Sequence, residues 1–295
     1  IIIEGEGTTN MHPVWSPDGT KFLFLSNKEN DYFGQTDLFL YTLSDSTSKK
    51  IKASVKSAPT WIDESQIIYS KKSKPNKYGY KFFDLYKYDI NNEEEDRITE
   101  GLRLFSPIYN DENKTIYAIN TYDGTCNIME GSIDSDDFKQ ITNYDNGMQI
   151  FSLSIHDSMI LFDAVVNHER NIHFLNIESK ETGIYKTEKW DVRDPISNDN
   201  NFVYSNDKHG IFNLYLKSAN DEGYMTNVSG GAFMPDINNS GEILFSLYEK
   251  GSYKIALLKN KNLIKNDRIG IGNNINRSDF NDFNQDESYY SRPTS

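Results

Sequence analysis

The chain of 295 residues has a single cysteine, Cys126, so no disulfide can form within it and cysteine usage is silent about redox compartment. No apolar run approaches the roughly 18 residues that span a bilayer as a helix, and Ile1-Ile2-Ile3 is too short for the core of a signal peptide. Positive charge is scarce too. The 31 Lys and Arg face 44 Asp and Glu, and the formal net charge of −13 repels a phosphate backbone. No Lys- or Arg-rich stripe with interleaved aromatics is expected to offset it locally, so nucleic acid is excluded as a partner. Sustained 3.6-residue apolar periodicity is missing as well, and helices are not expected. What remains is aromatic-rich, with 17 Phe and 19 Tyr in a chain that is 37% hydrophobic, enough apolar surface for a substantial core.

Proline is sparse at 8 residues, yet five of them fall at one position of an internal repeat: His12-Pro13-Val14-Trp15, Ala58-Pro59-Thr60-Trp61, Ser106-Pro107-Ile108-Tyr109, Asp194-Pro195-Ile196 and Met234-Pro235-Asp236. The gap between Pro107 and Pro195 is double, and Ser152-Leu153-Ser154-Ile155 fills it without the proline. The period is then about 40 to 48 residues, the spacing of propeller blades. Each anchor is followed by a turn and a short apolar run, such as Phe22-Leu23-Phe24-Leu25 or Met159-Ile160-Leu161-Phe162, which reads as a strand buried on both faces. A third strand recurs as Asp37-Leu38-Phe39, Asp84-Leu85-Tyr86, Asn127-Ile128-Met129, Asn171-Ile172-His173 and Asn213-Leu214-Tyr215. A fourth is placed at Arg97-Ile98-Thr99, Gln140-Ile141-Thr142 and Tyr224-Met225-Thr226.

The expected fold is all-β, a six-bladed β-propeller of four-stranded antiparallel blades. The sixth unit stops after its third strand near Leu258, whereas the chain opens with Ile1-Ile2-Ile3-Glu4, so this N-terminal strand is expected to complete the last blade and close the ring. Residues 1–264 are assigned to the propeller and 265–295 to a polar linker or disordered tail. The missing initial Met and the polar ending suggest a piece of a longer protein.

Pro13-Val14-Trp15-Ser16-Pro17-Asp18-Gly19, followed by an apolar strand and Asp37-Leu38-Phe39, resembles the repeat of TolB-like propellers, in which Asp-Gly turns the chain between the first two strands of a blade. The likeness covers residues 1 to about 260. Asp-Gly itself survives only in the first unit. Gly210-Ile211-Phe212-Asn213-Leu214-Tyr215 through Gly230-Gly231-Ala232-Phe233-Met234-Pro235 is similar to a subgroup found in bacterial envelope proteins, where an outer-membrane surface-antigen barrel commonly follows in the same chain. This resemblance implies a periplasmic or outer-membrane-associated location and a monomeric, non-catalytic module for protein or peptide partners. TolB-like propellers also cap prolyl-oligopeptidase-type serine peptidases, and related propellers act on saccharides; these are the alternatives.

Catalytic signatures are few. The sequence contains no Gly-x-Ser-x-Gly elbow, no His-Glu-x-x-His and no Asp-x-Asp-x-Asp-Gly loop. The five histidines fall on different blades or strands, His173 reading as a packing or surface residue, and neither a metal nor another cofactor is expected. Loops that enter each first strand, with those joining second to third strands, crowd one mouth of a propeller channel. They place His12, Tyr32, Phe33, Tyr78, Tyr80, Tyr122, His168, Arg170, Trp190, Arg193, His209 and Phe233 near that face, and nine of these are the candidate partner-binding set: His12, Tyr32, Tyr122, His168, Arg170, Trp190, Arg193, His209 and Phe233. Trp190 and Phe233 could equally plug gaps between blades, while Trp15 and Trp61 are expected in the core.

Overall fold

Alternation along the second strand of each unit decides which side chain meets which neighbour, because successive residues point to opposite faces of a sheet. In the computed structural model, which describes residues 1–4, 9–30, 32, 34–198, 201–259, 262–264 and 269, every sheet follows chain order from the innermost strand outward. Blade one is β1 (Asn10–Trp15), β2 (Lys21–Ser26), β3 (Asp37–Thr42) and β4 (Thr47–Lys52). Blade two is β5 (Thr60–Trp61), β6 (Gln66–Lys72), β7 (Phe83–Asp89) and β8 (Glu94–Arg97), and blade three is β9 (Leu104–Asn110), β10 (Thr115–Tyr122), β11 (Thr125–Ser132) and β12 (Lys139–Gln140). Blade four is β13 (Gln149–His156), β14 (Met159–Val166), β15 (Glu169–Asn176) and β16 (Thr182–Lys186); blade five is β17 (Val192–Asn198), β18 (Asn201–Asn206), β19 (Asn213–Ser218) and β20 (Glu222–Tyr224). Blade six has β21 (Ala232–Ile237), β22 (Ile243–Glu249) and β23 (Ser252–Leu258). All pairings within the blades are antiparallel, and the described residues contain no helix, hence none that could cross a membrane.

The core is six hydrophobic clusters, one at each junction between neighbouring blades. Leu23 and Leu25 of β2 face Trp61, Ile67 and Tyr69 of blade two, whereas Phe22 and Phe24 face Leu244 and Ile255 of blade six. Trp15 and Trp61 are both buried, as expected. His173 is buried as well and stacks on Phe162 with ring centres 5.5 Å apart.

The ring is clasped at blade six. Ile2 and Ile3 donate backbone N–H groups to the Ile255 carbonyl at 2.8 and 3.2 Å, Ile255 donates back to Ile3 at 3.2 Å, and both isoleucines pack with Leu244 and Leu257. Glu4 pairs with Lys254 at 2.6 Å. The N-terminal segment thus supplies the outer partner that β23 otherwise lacks.

The fourth strands differ from expectation in position. Ile98-Thr99, Ile141-Thr142 and Met225-Thr226 lie just beyond β8, β12 and β20, and the threonines act as latches. Thr226 Oγ1 donates to Asn213 Oδ1 at 2.9 Å and accepts the Leu214 N–H at 2.9 Å, while Asn213 Oδ1 also accepts the Val228 N–H at 2.9 Å. Thr142 does the same with Asn127 and the Ile128 N–H, and Asn127 holds Tyr144. Thr99 binds the Leu85 N–H at 3.0 Å beside Asp84, which takes the Leu102 N–H. Asp84, Asn127 and Asn213, at or near the start of the third strands of blades two, three and five, therefore tie down the loops leading into the next blades. Beyond blade six, Ile264 bridges to Tyr224; of residues 265–295 only Ile269 is described, and the expected linker lies outside the described residues.

Candidate functional site

The innermost strands leave one edge unpaired toward a central channel, which explains the prolines: a residue without an N–H is tolerated where no strand waits to receive one. Four of the inner strands, β1, β9, β17 and β21, also bulge at the residue before the proline. Register slips at Met11/Val14, Arg193/Ile196 and Phe233/Asp236 in β1, β17 and β21, at Phe105/Ile108 in β9, and at Ile150/Ser152 in the proline-free β13. His12, Ser106, Asp194 and Met234 consequently adopt φ of 53°, 48°, 54° and 51°, a left-handed conformation that side-chain-bearing residues rarely take. Cross-blade bonds fix three of these bulges: the His12 N–H donates to Ser246 Oγ at 3.1 Å, Ser106 N–H to Ser57 Oγ at 3.0 Å and Met234 N–H to Asp194 Oδ2 at 3.0 Å.

The result is a ring of six residues, His12, Ala58, Ser106, Phe151, Asp194 and Met234, one from each blade, around a cavity of about 420 Å³. Its chemistry is concentrated on blades four, five, six and one. Asp163, fully buried in β14, takes a two-pronged bond from the Arg170 guanidinium, 2.7 Å at Nε, and a bond from Ser152 Oγ. Asp194 pairs with Arg193 at 3.0 Å, and Arg193 lies over two rings, 5.1 Å from the centre of Phe233 and 5.5 Å from that of Phe212. Arg170 lies 4.2 Å over Phe151. The Ser154 hydroxyl lines the same channel, buried without a hydrogen-bond partner among the described residues.

Electrostatics bind these groups together. Burial raises the Asp163 pKa and the charge of Asp194 adds to the rise, with Arg170 opposing both. Arg193 is penalised by burial but is raised on balance by Asp194 and Asp163. Burial pushes His12 down to about 4, so its imidazole is neutral, and it pushes Asp236 up to about 7 against the N–H bonds from Trp15 and Ile237.

Of the nine candidate residues, the fold brings His12, Arg170, Arg193 and Phe233 together at this rim. Tyr32 stands on a loop and Tyr122 ends β10, 73% and 71% exposed, and His168 sits exposed in the β14–β15 turn at φ 71°. Trp190 carries Lys208 over its ring at 5.1 Å, and His209 packs edge-on against Tyr224, both within blade five. Phe33 lies outside the described residues. Sequence reasoning missed Asp163 and Asp194, although an acid inside the apolar run Met159–Val166 and an acid at the pre-proline position were both visible signals. Among the described residues no three His, Cys, Asp or Glu side chains converge as a metal-ligand set.

The expectation of no local basic stripe fails. Residues 71–83 hold Lys71, Lys72, Lys74, Lys77 and Lys81 interleaved with Tyr78, Tyr80, Phe82 and Phe83, a pattern overlooked because the net charge dominates the composition.

No family model and no curated protein matches the chain. Solved structures do. TolB from Acinetobacter baumannii aligns at a TM-score of 0.60 with 14% identity, over 86% of this chain and 65% of its own length. An oligogalacturonate lyase in complex with manganese gives 0.58 with 12% identity over 87% and 78%, and the β-propeller domain of the Trilobed protease from Pyrococcus furiosus gives 0.55 with 15% over 86% and 84%. The chain spans 65% of the length of that TolB. At such identities the likeness carries the fold and nothing more, and in fold this chain is a six-bladed β-propeller similar to that TolB.

Proposed function

We infer that this propeller is a binding module that receives a protein or peptide segment at the channel mouth, on the side formed by blades four, five, six and one. The observation that supports this is the rim itself: two guanidinium groups held by buried carboxylates and laid over aromatic rings, at the opening of a cavity lined by backbone edges. Arg and aromatic side chains fixed in place before binding are the residue types that anchor protein interfaces, since little entropy is lost when a partner arrives. Exposed strand edges add unpaired backbone donors and acceptors for an extended segment. The parent protein in this reading is a bacterial envelope protein, with the propeller as a monomeric domain of residues 1–264 exposed to the periplasm and an outer-membrane barrel in the same chain.

The test compares the wild-type domain with a variant carrying Arg193→Ala and Phe233→Ala in recovery from an envelope extract, followed by titration of a synthetic segment of whatever protein is recovered. Binding of the segment to wild type and its loss in a variant with an unchanged melting curve is the expected result. Equal binding by the variant, or no reproducible partner, removes the rim from consideration. A second reading, the substrate-gating propeller of a peptidase or a propeller acting on saccharides, is favoured by the likeness to the Trilobed protease and lyase propellers; a Gly-x-Ser-x-Gly domain in the parent gene decides for the peptidase.

A further inference from the structure

The same face carries a second recess, remote from the charged rim, where the cleft between blades two and three is lined by the basic segment. Phe82, Phe83 and Phe105 form its half-buried floor, and Lys56, Lys72, Lys81 and Arg103 form an exposed edge around a cavity of about 610 Å³. Arg103 lies 5.2 Å over the Phe82 ring and Lys72 lies 5.5 Å over Phe83, so these cations are held at the cleft by cation–π contact. None of the four pairs with a carboxylate among the described residues, although acids outnumber bases by 44 to 31 in the chain and the neighbouring Lys71 is paired with Glu95 at 2.6 Å. Unneutralised cations clustered in an acidic protein concentrate a potential that selects for anions. The position does not impose this chemistry: the corresponding cleft between blades five and six, about 350 Å³, is lined by His209, Asn213 and Glu249 with no Lys or Arg among its described residues.

We propose that the cleft between blades two and three is a docking site for an acidic peptide segment that inserts a phenylalanine onto the Phe82–Phe83–Phe105 floor. The floor separates this occupant from other polyanions. Three phenyl rings offer no hydrogen bond to saccharide hydroxyls, which pay for burial unless they are paired, and two of the three, Phe82 and Phe83, already carry a cation over the ring, which leaves less ring surface for base stacking. An apolar side chain flanked by carboxylates satisfies floor and edge together. The chain contains a sequence of this composition in residues 278–290, with Asp279, Phe280, Asp282, Phe283, Asp286 and Glu287.

The experiment titrates a synthetic peptide of residues 278–290 into the full chain bearing Phe280→Ser and Phe283→Ser, which removes competition from its own copy, and follows heat release at low and high salt. Micromolar binding that weakens with salt is expected, as is a loss of roughly tenfold or more when Lys56→Glu, Lys81→Glu and Arg103→Glu are added. If that charge reversal unfolds the chain, Lys81→Gln with Arg103→Gln gives the same reading. Absence of binding, binding untouched by the cleft substitutions, or equal binding of a peptide with Ser for both Phe overturns the proposal. Tighter binding at the cleft by tetragalacturonate or by a dodecamer of deoxythymidine overturns the occupant. Arg193→Ala with Phe233→Ala is expected to leave this titration unchanged, so the cleft and the channel rim stand or fall separately; loss in that variant alone assigns the peptide to the rim and refutes the cleft.

Discussion

Replacing Thr226 by valine keeps shape and removes one hydroxyl, and the cost can be worked out group by group. The hydroxyl donates to Asn213 Oδ1 and accepts from the Leu214 N–H, both at 2.9 Å, and Asn213 and Thr226 are 1% and 7% exposed. Valine leaves the Leu214 amide buried without a partner, a penalty of about 1–3 kcal/mol, while Asn213 keeps the Val228 N–H. A loss of about 2 kcal/mol lowers the melting temperature by roughly 4–8 °C in a domain approaching this size. Thr142→Val falls in the same range, because its latch repeats the geometry. Thr99→Val costs least, since its contact to Asp84 is 3.4 Å and Asp84 retains Arg97 at 2.6 Å. Urea unfolding of the three variants, with an Asn213→Ala cycle for coupling, checks the ranking. A Thr226→Val chain within about 0.5 kcal/mol of wild type, or a cycle with no coupling, refutes the latch.

Deleting residues 1–4 removes two half-buried isoleucines and the backbone bonds to Ile255, and is expected to destabilise by about 2–4 kcal/mol; an unshifted urea midpoint means the ring closes without its clasp. Asp163→Ala strands Arg170, only 11% exposed, and should cost about 3–5 kcal/mol, most of it recovered by adding Arg170→Met; thermal melts of the pair measure this, and no recovery rules out the stranded charge as the cause. Asp236, raised from 3.8 to about 7, binds its proton more tightly in the folded state, so its contribution falls as pH rises from about 4 through 7, whereas His12, lowered from 6.5 to about 4, loses stability as pH falls across its own window. The two oppose each other between 4 and 6.5, and Asp236→Asn should unmask a decline on acidification, up to about 1.4 kcal/mol per pH unit; parallel pH–stability profiles for wild type and variant contradict the Asp236 assignment, and a variant with no decline contradicts that of His12.

The parts of the fold that packing dictates were readable in sequence, and the parts that solvent dictates were not. Inner and second strands announce themselves because both faces of Phe22–Leu25 must be buried. The outer strands β4 and β16 passed unmarked because Thr47–Lys52 and Thr182–Lys186 are largely exposed and need no apolar pattern. Ile98-Thr99 and its counterparts attracted attention as strands for the reason that they are conserved within the repeat, yet that reason is the latch beyond the strand end. Expecting loops at these positions was enough to single out Arg170, Arg193, His12 and Phe233, although all four lie near the starts of strands, in β15, β17, β1 and β21. Asp163 belongs to β14 and Asp194 to β17, and only the packing of blade four on blade five couples their charges.

The bulge explains how a repeated scaffold carries an asymmetric site. A left-handed residue is disfavoured by its own Cβ at a cost of about 1–2 kcal/mol, and the ring of a following proline disfavours it further. That cost recurs at His12, Ser106, Asp194 and Met234 and is offset where a neighbouring blade supplies an acceptor for the bulged N–H, as Ser246, Ser57 and Asp194 do. Backbone geometry at this position is therefore held by the ring as a whole, while the side chain is left free to vary: imidazole, methyl, hydroxyl, phenyl, carboxylate and thioether around one channel. Asp194 serves both ends, accepting the Met234 N–H and pairing with Arg193, so closing the ring and building the charged rim are one act of packing. A substitution such as Asp194→Asn thus acts on the seam between blades five and six and on the orientation of Arg193 at once, whereas Ser106→Ala touches neither the rim nor its own backbone bond to Ser57.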